Sequence, residues 1–171
     1  EDSISILVAV LKDTNQEPMV RHEAAEAIGA IGSSEQIKLL EQYVNDPVKE
    51  VAETCELAVQ RIKWLSKGET VDKVPENPYK SVDPAPPLNN DDVDKLKDIL
   101  LDEGGSLFLR YRAMFSLRNL RTEESVLALC AALKRGSALF RHEVAFVLGQ
   151  LQHASSVPFL SKSLEDCTEN E

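Results

Sequence analysis

Hydrophobic residues recur along much of the chain at intervals of three and four positions, which is the spacing of one face of an α-helix. In residues 20–31 the apolar positions are Val20, Ala24, Ala27, Ile28 and Ile31. After a short break at residues 32–34, a second apolar series follows at Ile37, Leu40 and Val44. The same spacing predicts helices over residues 3–12 and 158–164. The pattern therefore predicts pairs of amphipathic helices joined by short turns.

The helix pairs repeat along the chain. Residues 20–31 read VRHEAAEAIGAI, and residues 140–151, which lie 120 positions later, read FRHEVAFVLGQL. A shorter period of 31 residues relates 109–115 to 140–146, and relates 51–62 to 20–31. Units of this length cannot bury an apolar face alone, so they must stack as an α-solenoid. HEAT repeats are longer, at ~40–47 residues, and the predicted fold is therefore an all-α, HEAT-like solenoid of helical hairpins.

Proline divides the chain. Five of the eight prolines lie close together, at Pro75, Pro78, Pro84, Pro86 and Pro87. Because proline fixes φ and restrains the residue before it, this stretch cannot be helical. We predict two helical halves, residues 1–67 and 91–171, joined by a Pro-rich linker over 68–90. The other prolines are expected in the first turn of a helix, where a missing N–H costs nothing: Pro18, Pro47 and Pro158.

The two ends of the chain have the same phase in the repeat. Residues 3–12 have the pattern of a second helix whose first helix is absent, and residues 158–164 again have the pattern of a second helix. Solenoids normally end in polar capping repeats, and neither end has that pattern. The chain also begins with Glu1 rather than with methionine. We therefore interpret the sequence as an inner segment of a longer solenoid.

Charge and composition exclude some classes of protein. The chain carries 19 Lys+Arg against 29 Asp+Glu, a net charge of -10, whereas a sequence-independent nucleic-acid binder needs a basic face. No apolar run approaches the ~18–20 residues of a membrane helix. The cysteines, Cys55, Cys130 and Cys167, are widely spaced and predict reduced thiols. We therefore expect a cytoplasmic protein that binds neither nucleic acid nor membrane.

Two His-Glu pairs are the candidate chemistry. His22-Glu23 and His142-Glu143 occupy equivalent repeat positions, and each follows an arginine. A single such pair is often only a solvated first turn of a helix, where glutamate favours the positive helix end. The intervening units carry Glu53-Thr54 and Tyr111-Arg112 instead, so the fold does not require the pair. Imidazole and carboxylate suit iron, zinc or manganese, and an open site of such ligands suits non-haem iron and O₂.

His153 is the third histidine, and we expect it to be a bystander because it falls in a turn between helices. Other catalytic patterns are absent from the sequence: it contains no GxSxG motif, no glycine-rich phosphate loop and no cysteine next to a histidine. The His-Glu pairs therefore remain the candidate site.

The Arg-His-Glu units, together with the linker segment YKSVDPAPP at residues 79–87, resemble the deoxyhypusine hydroxylase family. Supporting segments are residues 17–24, 50–55, 110–115 and 136–143. The resemblance implies two HEAT-like halves that bring four His-Glu motifs around a non-haem di-iron centre. It also implies an O₂-dependent monooxygenase that hydroxylates a deoxyhypusine side chain on a translation factor to form hypusine. That basic polyamine side chain is compatible with an acidic protein.

The resemblance also implies roles for individual residues. His22 and Glu23 match a motif in which both residues ligate iron. His142 and Glu143 match a motif whose histidine ligates iron and whose glutamate holds the substrate, so Glu143 is the candidate catalytic residue. The first and fourth motifs of the family have no counterpart among these residues. We therefore expect the 171-residue chain to bind iron poorly and to be inactive by itself.

Two alternatives come from other classes. A non-catalytic HEAT-like scaffold for protein interactions could retain the His-Glu pairs as inherited remnants. A HEAT-like lyase acting on a bound pigment is disfavoured by the paired motif and by the linker segment.

Overall fold

The computed structural model describes residues 2–67 and 77–169, and these residues form helices and turns with no strand. The all-α prediction is confirmed. The helices are α1 (Asp2–Lys12), α2 (Pro18–Ile31), α3 (Ile37–Leu40), α4 (Lys49–Ser66), α5 (Val93–Leu101), α6 (Leu107–Leu120), α7 (Glu123–Cys130), α8 (Ala138–Leu151) and α9 (Val157–Leu164). One turn of 3₁₀ helix precedes α3, and another precedes α9. No helix in the described ranges is long and apolar enough to cross a membrane.

The described residues fall into two compact units. The first contains residues 2–67 and 82–85, and thus helices α1 to α4. The second contains residues 77–81 and 86–169, and thus helices α5 to α9. Residues 68–76 of the predicted linker lie outside the described residues. The boundaries 1–67, 68–90 and 91–171 therefore stay predictions.

The first unit is built by helices that pack closely. Its buried core consists of Leu11, Ala24, Ala25, Ile28, Leu40, Val51, Cys55, Ala58, Val59 and Ile62. Helices α2 and α4 approach closely at Gly29, where an added Cβ atom would lie 2.7 Å from the Cβ of Ala58. Helix α2 ends at Gly32, whose φ of 77° is the left-handed conformation that glycine adopts without strain. Small residues therefore bring α4 directly against α2.

The second unit has a more aromatic core. The ring of Tyr111 lies edge-on to that of Phe140, with centroids 5.6 Å apart. Other buried side chains are Leu96, Leu100, Met114, Phe115, Leu117, Val126, Leu129, Val144, Val147 and Leu148. Helices α5 to α8 each begin with an N-cap residue whose side chain accepts a hydrogen bond from the backbone N–H three residues later. The N-cap residues are Asp92, Ser106, Thr122 and Ser137 respectively.

Two details of the predicted helices differ from the structure. Pro18 and Pro158 lie in a first helical turn as predicted, but Pro47 precedes α4, which begins at Lys49. The Asp46 carboxylate accepts the N–H of Val48 at 2.9 Å and holds this bend outside the helix. Helix α3 also ends before Val44, which is predicted to belong to it. The backbone N–H groups of residues 42 and 43 donate to carbonyls three positions earlier, as in a 3₁₀ turn, rather than four.

The described part of the Pro-rich segment contains no helix, and it is bound to the units. In the first unit, Arg61 Nε donates to the carbonyl of Asp83 at 3.1 Å. In the second, Arg112 donates to the carbonyls of Pro86 at 2.9 Å and Pro87 at 3.2 Å. Ala85 is fully buried. Each part of this segment is therefore packed against helices of its own unit.

Candidate metal and substrate site

His22 is buried near the start of α2 and makes a short contact with α4. Its imidazole Nδ1 lies 2.6 Å from the hydroxyl oxygen of Thr54. His22 is 6% exposed and Thr54 is 4% exposed, so the contact is shielded from water. The Thr54 hydroxyl in turn donates to the backbone carbonyl of Glu50, one helical turn earlier, at 2.8 Å. The three groups form a chain of hydrogen bonds.

These two contacts favour one tautomer of the imidazole ring. A threonine hydroxyl has a single proton to donate. When that proton goes to the carbonyl of Glu50, the Thr54 oxygen can only accept, and His22 Nδ1 is then the donor of the 2.6 Å contact. In the neutral ring the lone pair then resides on Nε2. The nitrogen that can ligate a metal is thus Nε2, which is not the nitrogen that contacts the Thr54 hydroxyl.

Two carboxylates lie near Nε2 of His22. The Glu23 Oε1 atom is 3.8 Å away, and the Glu26 Oε2 atom is 3.7 Å away. The Glu23 side chain is 71% exposed and that of Glu26 is 39% exposed. Burial, and then the neighbouring charge of Glu23, raises the pKa of Glu26. The first unit therefore places two carboxylates within 4 Å of one imidazole nitrogen.

Glu26 is absent from the residues predicted from sequence. The spacing in the sequence nevertheless indicates Glu26. Residues four apart share one face of a helix, and Glu26 follows His22 at that interval. The equivalent position after His142 is Phe146, whose side chain is exposed. The two His-Glu pairs therefore differ in the residue that lies one turn further along the helix.

The donor types fit a non-haem iron site, because imidazole and carboxylate oxygen are ligands that this metal accepts. The donor number does not complete one. Within residues 2–67 and 77–169, no group of three or more His, Cys, Asp and Glu is arranged to hold a metal ion. His22 and Glu23 are therefore suitable ligands that require further ligands.

His142 and Glu143 lie on α8 in the second unit. His142 is exposed and Glu143 is half-buried. The repeat counterpart of Thr54 for His142 falls beyond residue 171. The two members of each pair lie together on one helix, with His22 and Glu23 in the first unit and His142 and Glu143 in the second.

The arginine of the Arg-His-Glu unit has a structural role. Arg21 is buried, and its Nε donates to the carbonyl of Leu11 at the end of α1 at 3.0 Å. Its Nη2 lies 2.6 Å from Oδ2 of Asp46. Arg110 repeats the first contact, donating through Nε to the carbonyl of Leu100 at the end of α5 at 2.9 Å. These arginines bind the last turn of the preceding helix.

Arg141 uses different partners. Its Nε donates to the Glu169 carboxylate at 2.8 Å, and its Nη1 donates to the carbonyl of Gly136 at 2.9 Å. Lys134 also reaches Glu169, at 2.9 Å. Hydrogen bonds from Lys134, and then from Arg141, lower the pKa of the Glu169 carboxyl group. The arginine before His142 therefore anchors the residues that follow α9.

The positions that replace the His-Glu pair in the intervening units have roles of their own. Thr54 binds His22, and Arg112 binds the Pro-rich segment. Sequence reasoning used these replacements only to show that the fold does not require the pair. His153 caps the 3₁₀ turn before α9, where its Nδ1 accepts from the N–H of Ser155 at 3.3 Å. Its role is thus local.

Comparisons with known proteins agree with the helical repeats. A family model described as HEAT repeats matches residues 1–60, and one described as PBS lyase HEAT-like repeat matches residues 109–135 and 140–166. The second model describes a structural repeat, and a match to it does not indicate lyase activity.

The chain is similar to deoxyhypusine hydroxylases along almost all of its length. It is 64% identical to the Drosophila melanogaster protein over 170 residues, which is 99% of this chain and 56% of that protein. It is 59% identical to the Homo sapiens protein, covering 98% of this chain and 55% of that protein. The chain thus spans about half the length of these curated relatives.

A solved structure shows the same similarity in three dimensions. Human deoxyhypusine hydroxylase in complex with glycerol superposes with a TM-score of 0.92 at 59% identity. The superposition covers 98% of this chain and 57% of the human chain.

Proposed function

Because this chain is a HEAT-repeat protein that matches deoxyhypusine hydroxylases over 98–99% of its length, we propose that it carries part of the machinery for hydroxylating deoxyhypusine. The observation that carries the proposal is 64% identity to such a protein along residues that include both His-Glu pairs. The substrate is a deoxyhypusine side chain on a translation factor, and the product is hypusine. The proposed location is the cytoplasm.

The reaction is a monooxygenation. One oxygen atom of O₂ enters a C–H bond of the side chain and gives a hydroxyl group. The other oxygen atom leaves as water, which requires two electrons and two protons from an external reductant. Two non-haem iron ions, when bound, would supply the activation of O₂ that organic side chains cannot supply.

His22, Glu23 and His142 are the proposed iron ligands. His22 suits this role because its Nδ1 proton is bound by Thr54 at 2.6 Å, so Nε2 carries the lone pair. Glu23 suits it because its carboxylate lies within 3.8 Å of that nitrogen. His142 is proposed from its equivalent repeat position. Each unit contributes only part of a ligand set, and the remaining ligands must come from residues beyond these pairs.

Glu143 is the proposed substrate-binding and catalytic carboxylate. It is half-buried on α8, beside the exposed His142. A carboxylate there can bind a cationic amine of the side chain by a charge-assisted hydrogen bond and so orient the C–H bond that reacts. The net charge of -10 favours the approach of a polycationic side chain.

Iron analysis of two proteins tests this proposal. The first is the 171-residue chain. The second is a chimera in which this chain replaces the matching segment of the Drosophila melanogaster hydroxylase. We expect the isolated chain to hold well under one iron per molecule, and the chimera to hold two. A chimera that folds and binds no iron would contradict the ligand assignment. Stoichiometric di-iron with turnover in the isolated chain would contradict the claim that it needs further ligands.

A further inference from the structure

We propose that Thr54 is a positioning residue, which fixes the tautomer and the orientation of His22 so that Nε2 is presented as a ligand. The effect on the ring is independent of the reaction. The consequence for metal binding rests on the function proposed above. Thr54 lies on α4, whereas His22 and Glu23 lie on α2, so the ligand pair and its support come from consecutive repeats.

The hydroxyl group of Thr54 has two hydrogen-bond partners. The Thr54 hydroxyl oxygen lies 2.6 Å from Nδ1 of His22, and the hydroxyl donates to the Glu50 carbonyl at 2.8 Å. A backbone carbonyl within a helix can only accept, so the hydroxyl proton has a fixed destination. The hydroxyl is then an acceptor for the ring. Metal-ligating histidines commonly donate their second ring N–H to such an acceptor, which fixes the tautomer and raises the basicity of the ligating nitrogen.

The contact between His22 and Thr54 is shielded from water. Both partners are more than nine-tenths buried, at 6% and 4% exposure. Water cannot readily replace the hydroxyl if it is removed, so the Nδ1 proton would lose its acceptor, and a buried donor without an acceptor is destabilising. The tautomer with its proton on Nε2, nearer the Glu23 and Glu26 carboxylates, would then gain population.

The contact between His22 and Thr54 depends on the close packing of α2 against α4. Gly29 lies two turns after His22 on α2, and Ala58 lies one turn after Thr54 on α4. An added Cβ on Gly29 would lie 2.7 Å from that of Ala58. This close approach allows the short threonine side chain to reach the imidazole. A glycine and an alanine in neighbouring repeats thus support the contact that orients His22.

The test compares Thr54→Val with Thr54→Ser in the 171-residue chain without metal. Valine keeps the shape of threonine and removes the hydroxyl, whereas serine keeps the hydroxyl. Long-range ¹H–¹⁵N spectra of the imidazole, recorded above the ordinary histidine pKa of about 6.5, report which nitrogen carries the proton. We expect Nδ1–H in the wild-type chain and in Thr54→Ser. We expect a shift toward Nε2–H in Thr54→Val.

The backbone spectrum of each variant shows whether it is folded, and Thr54→Ser serves as the control for packing. A wild-type His22 with its proton on Nε2 would overturn the proposal. So would a folded Thr54→Val variant whose tautomer is unchanged.

The consequence for metal is measured in the chimera with Fe²⁺ as the probe. Loss of a group that hydrogen-bonds to a metal-ligating histidine typically weakens metal binding ~10–100-fold. We expect a loss of that size in Thr54→Val and a change of a few-fold at most in Thr54→Ser. Equal affinity in both variants would overturn the role in metal binding. A wild-type chimera that binds no iron would overturn the proposed function instead, and the tautomer measurement would still decide the role of Thr54.

Discussion

Gly29 on α2 and Ala58 on α4 approach so closely that a Cβ atom on the glycine would lie 2.7 Å from the alanine Cβ. Real Cβ atoms do not come so near to each other, and neither side chain has a flexible end that can move aside. The two helices must therefore separate to admit any larger residue. This contact lies two turns after His22 on α2 and one turn after Thr54 on α4, so it links the stability of the first unit to the geometry of the site.

Gly29→Ala should destabilise the first unit. The added methyl group forces helix α2 away from α4, and overpacking of this kind costs about 1–3 kcal/mol. Gly149 is the matched control, because it occupies the same repeat position on α8 and an added Cβ there meets nothing within 4 Å. Gly149→Ala should be neutral or stabilise by about 0.5–1 kcal/mol, since alanine favours helix. Urea denaturation measures both, and equal effects would contradict the packing argument.

Asp46→Ala should also destabilise the first unit. The substitution leaves the buried Arg21 guanidinium without its carboxylate partner at 2.6 Å, and breaking a buried ion pair costs about 3–5 kcal/mol. Glu41→Ala is the control, because Glu41 pairs with Lys63 at the surface, where a pair is worth less than about 1 kcal/mol. Free energies of unfolding at neutral pH make the comparison. A loss below about 1 kcal/mol for Asp46→Ala would contradict the role of this pair.

The same substitution predicts a pH dependence. The hydrogen bond between Asp46 and Arg21 lowers the pKa of the Asp46 carboxyl group from its ordinary value of 3.8. The pair therefore stabilises the fold fully above the unfolded pKa of about 3.9, and its contribution is lost as the pH falls through the lower folded pKa. The stability difference between the wild type and Asp46→Ala should narrow below about pH 4. A constant difference would show that the charge of Asp46 is not responsible.

The three cysteines should differ in reactivity. Burial raises the pKa of Cys55 to about 12 and that of Cys130 to about 11, whereas Cys167 is exposed. Because the thiolate is the reactive form, a thiol reagent at neutral pH should modify Cys167 first. Cys167→Ser should remove the fast phase and leave a slow phase limited by unfolding. A fast phase that persists in Cys167→Ser would place another cysteine at the surface.

Substitutions in the chimera should separate the proposed roles of the two pairs. His22→Ala should reduce the iron content, because it removes a ligand. Glu143→Ala should retain the iron and raise the KM for the deoxyhypusine-bearing protein, because it removes a group that holds the substrate. Iron analysis and steady-state kinetics measure both effects. Equal loss of iron in the two variants would contradict the division of roles.

The sequence predicts the helical repeats well because the apolar residues of each helix recur at intervals of three and four positions. The spacing of residues such as Val20, Ala24 and Ile28 follows from one buried face, and the structure confirms a helix there. Local hydrogen bonds decide the details that the spacing does not contain. The Asp46 carboxylate places Pro47 outside α4, and no periodicity of apolar residues encodes that contact.

The candidate site is predicted less completely. The repetition of His22-Glu23 at His142-Glu143 marks both pairs, but it does not show that one histidine is buried and the other exposed. Thr54 was visible only as a residue that replaces the pair in the next repeat. Its contact with His22 depends on how closely α2 and α4 pack, which is a property of the stacked repeats rather than of either helix alone.

Mass spectrometry of the product under ¹⁸O₂ tests the central claim most directly. The chimera, loaded with iron and supplied with a reductant, is incubated with a protein that carries deoxyhypusine. If this chain supplies part of a deoxyhypusine monooxygenase, the modified residue gains one ¹⁸O atom, and chimeras with His22→Ala or His142→Ala give none. A folded, iron-loaded chimera that leaves the side chain without ¹⁸O, while the parent hydroxylase labels it, would contradict the account.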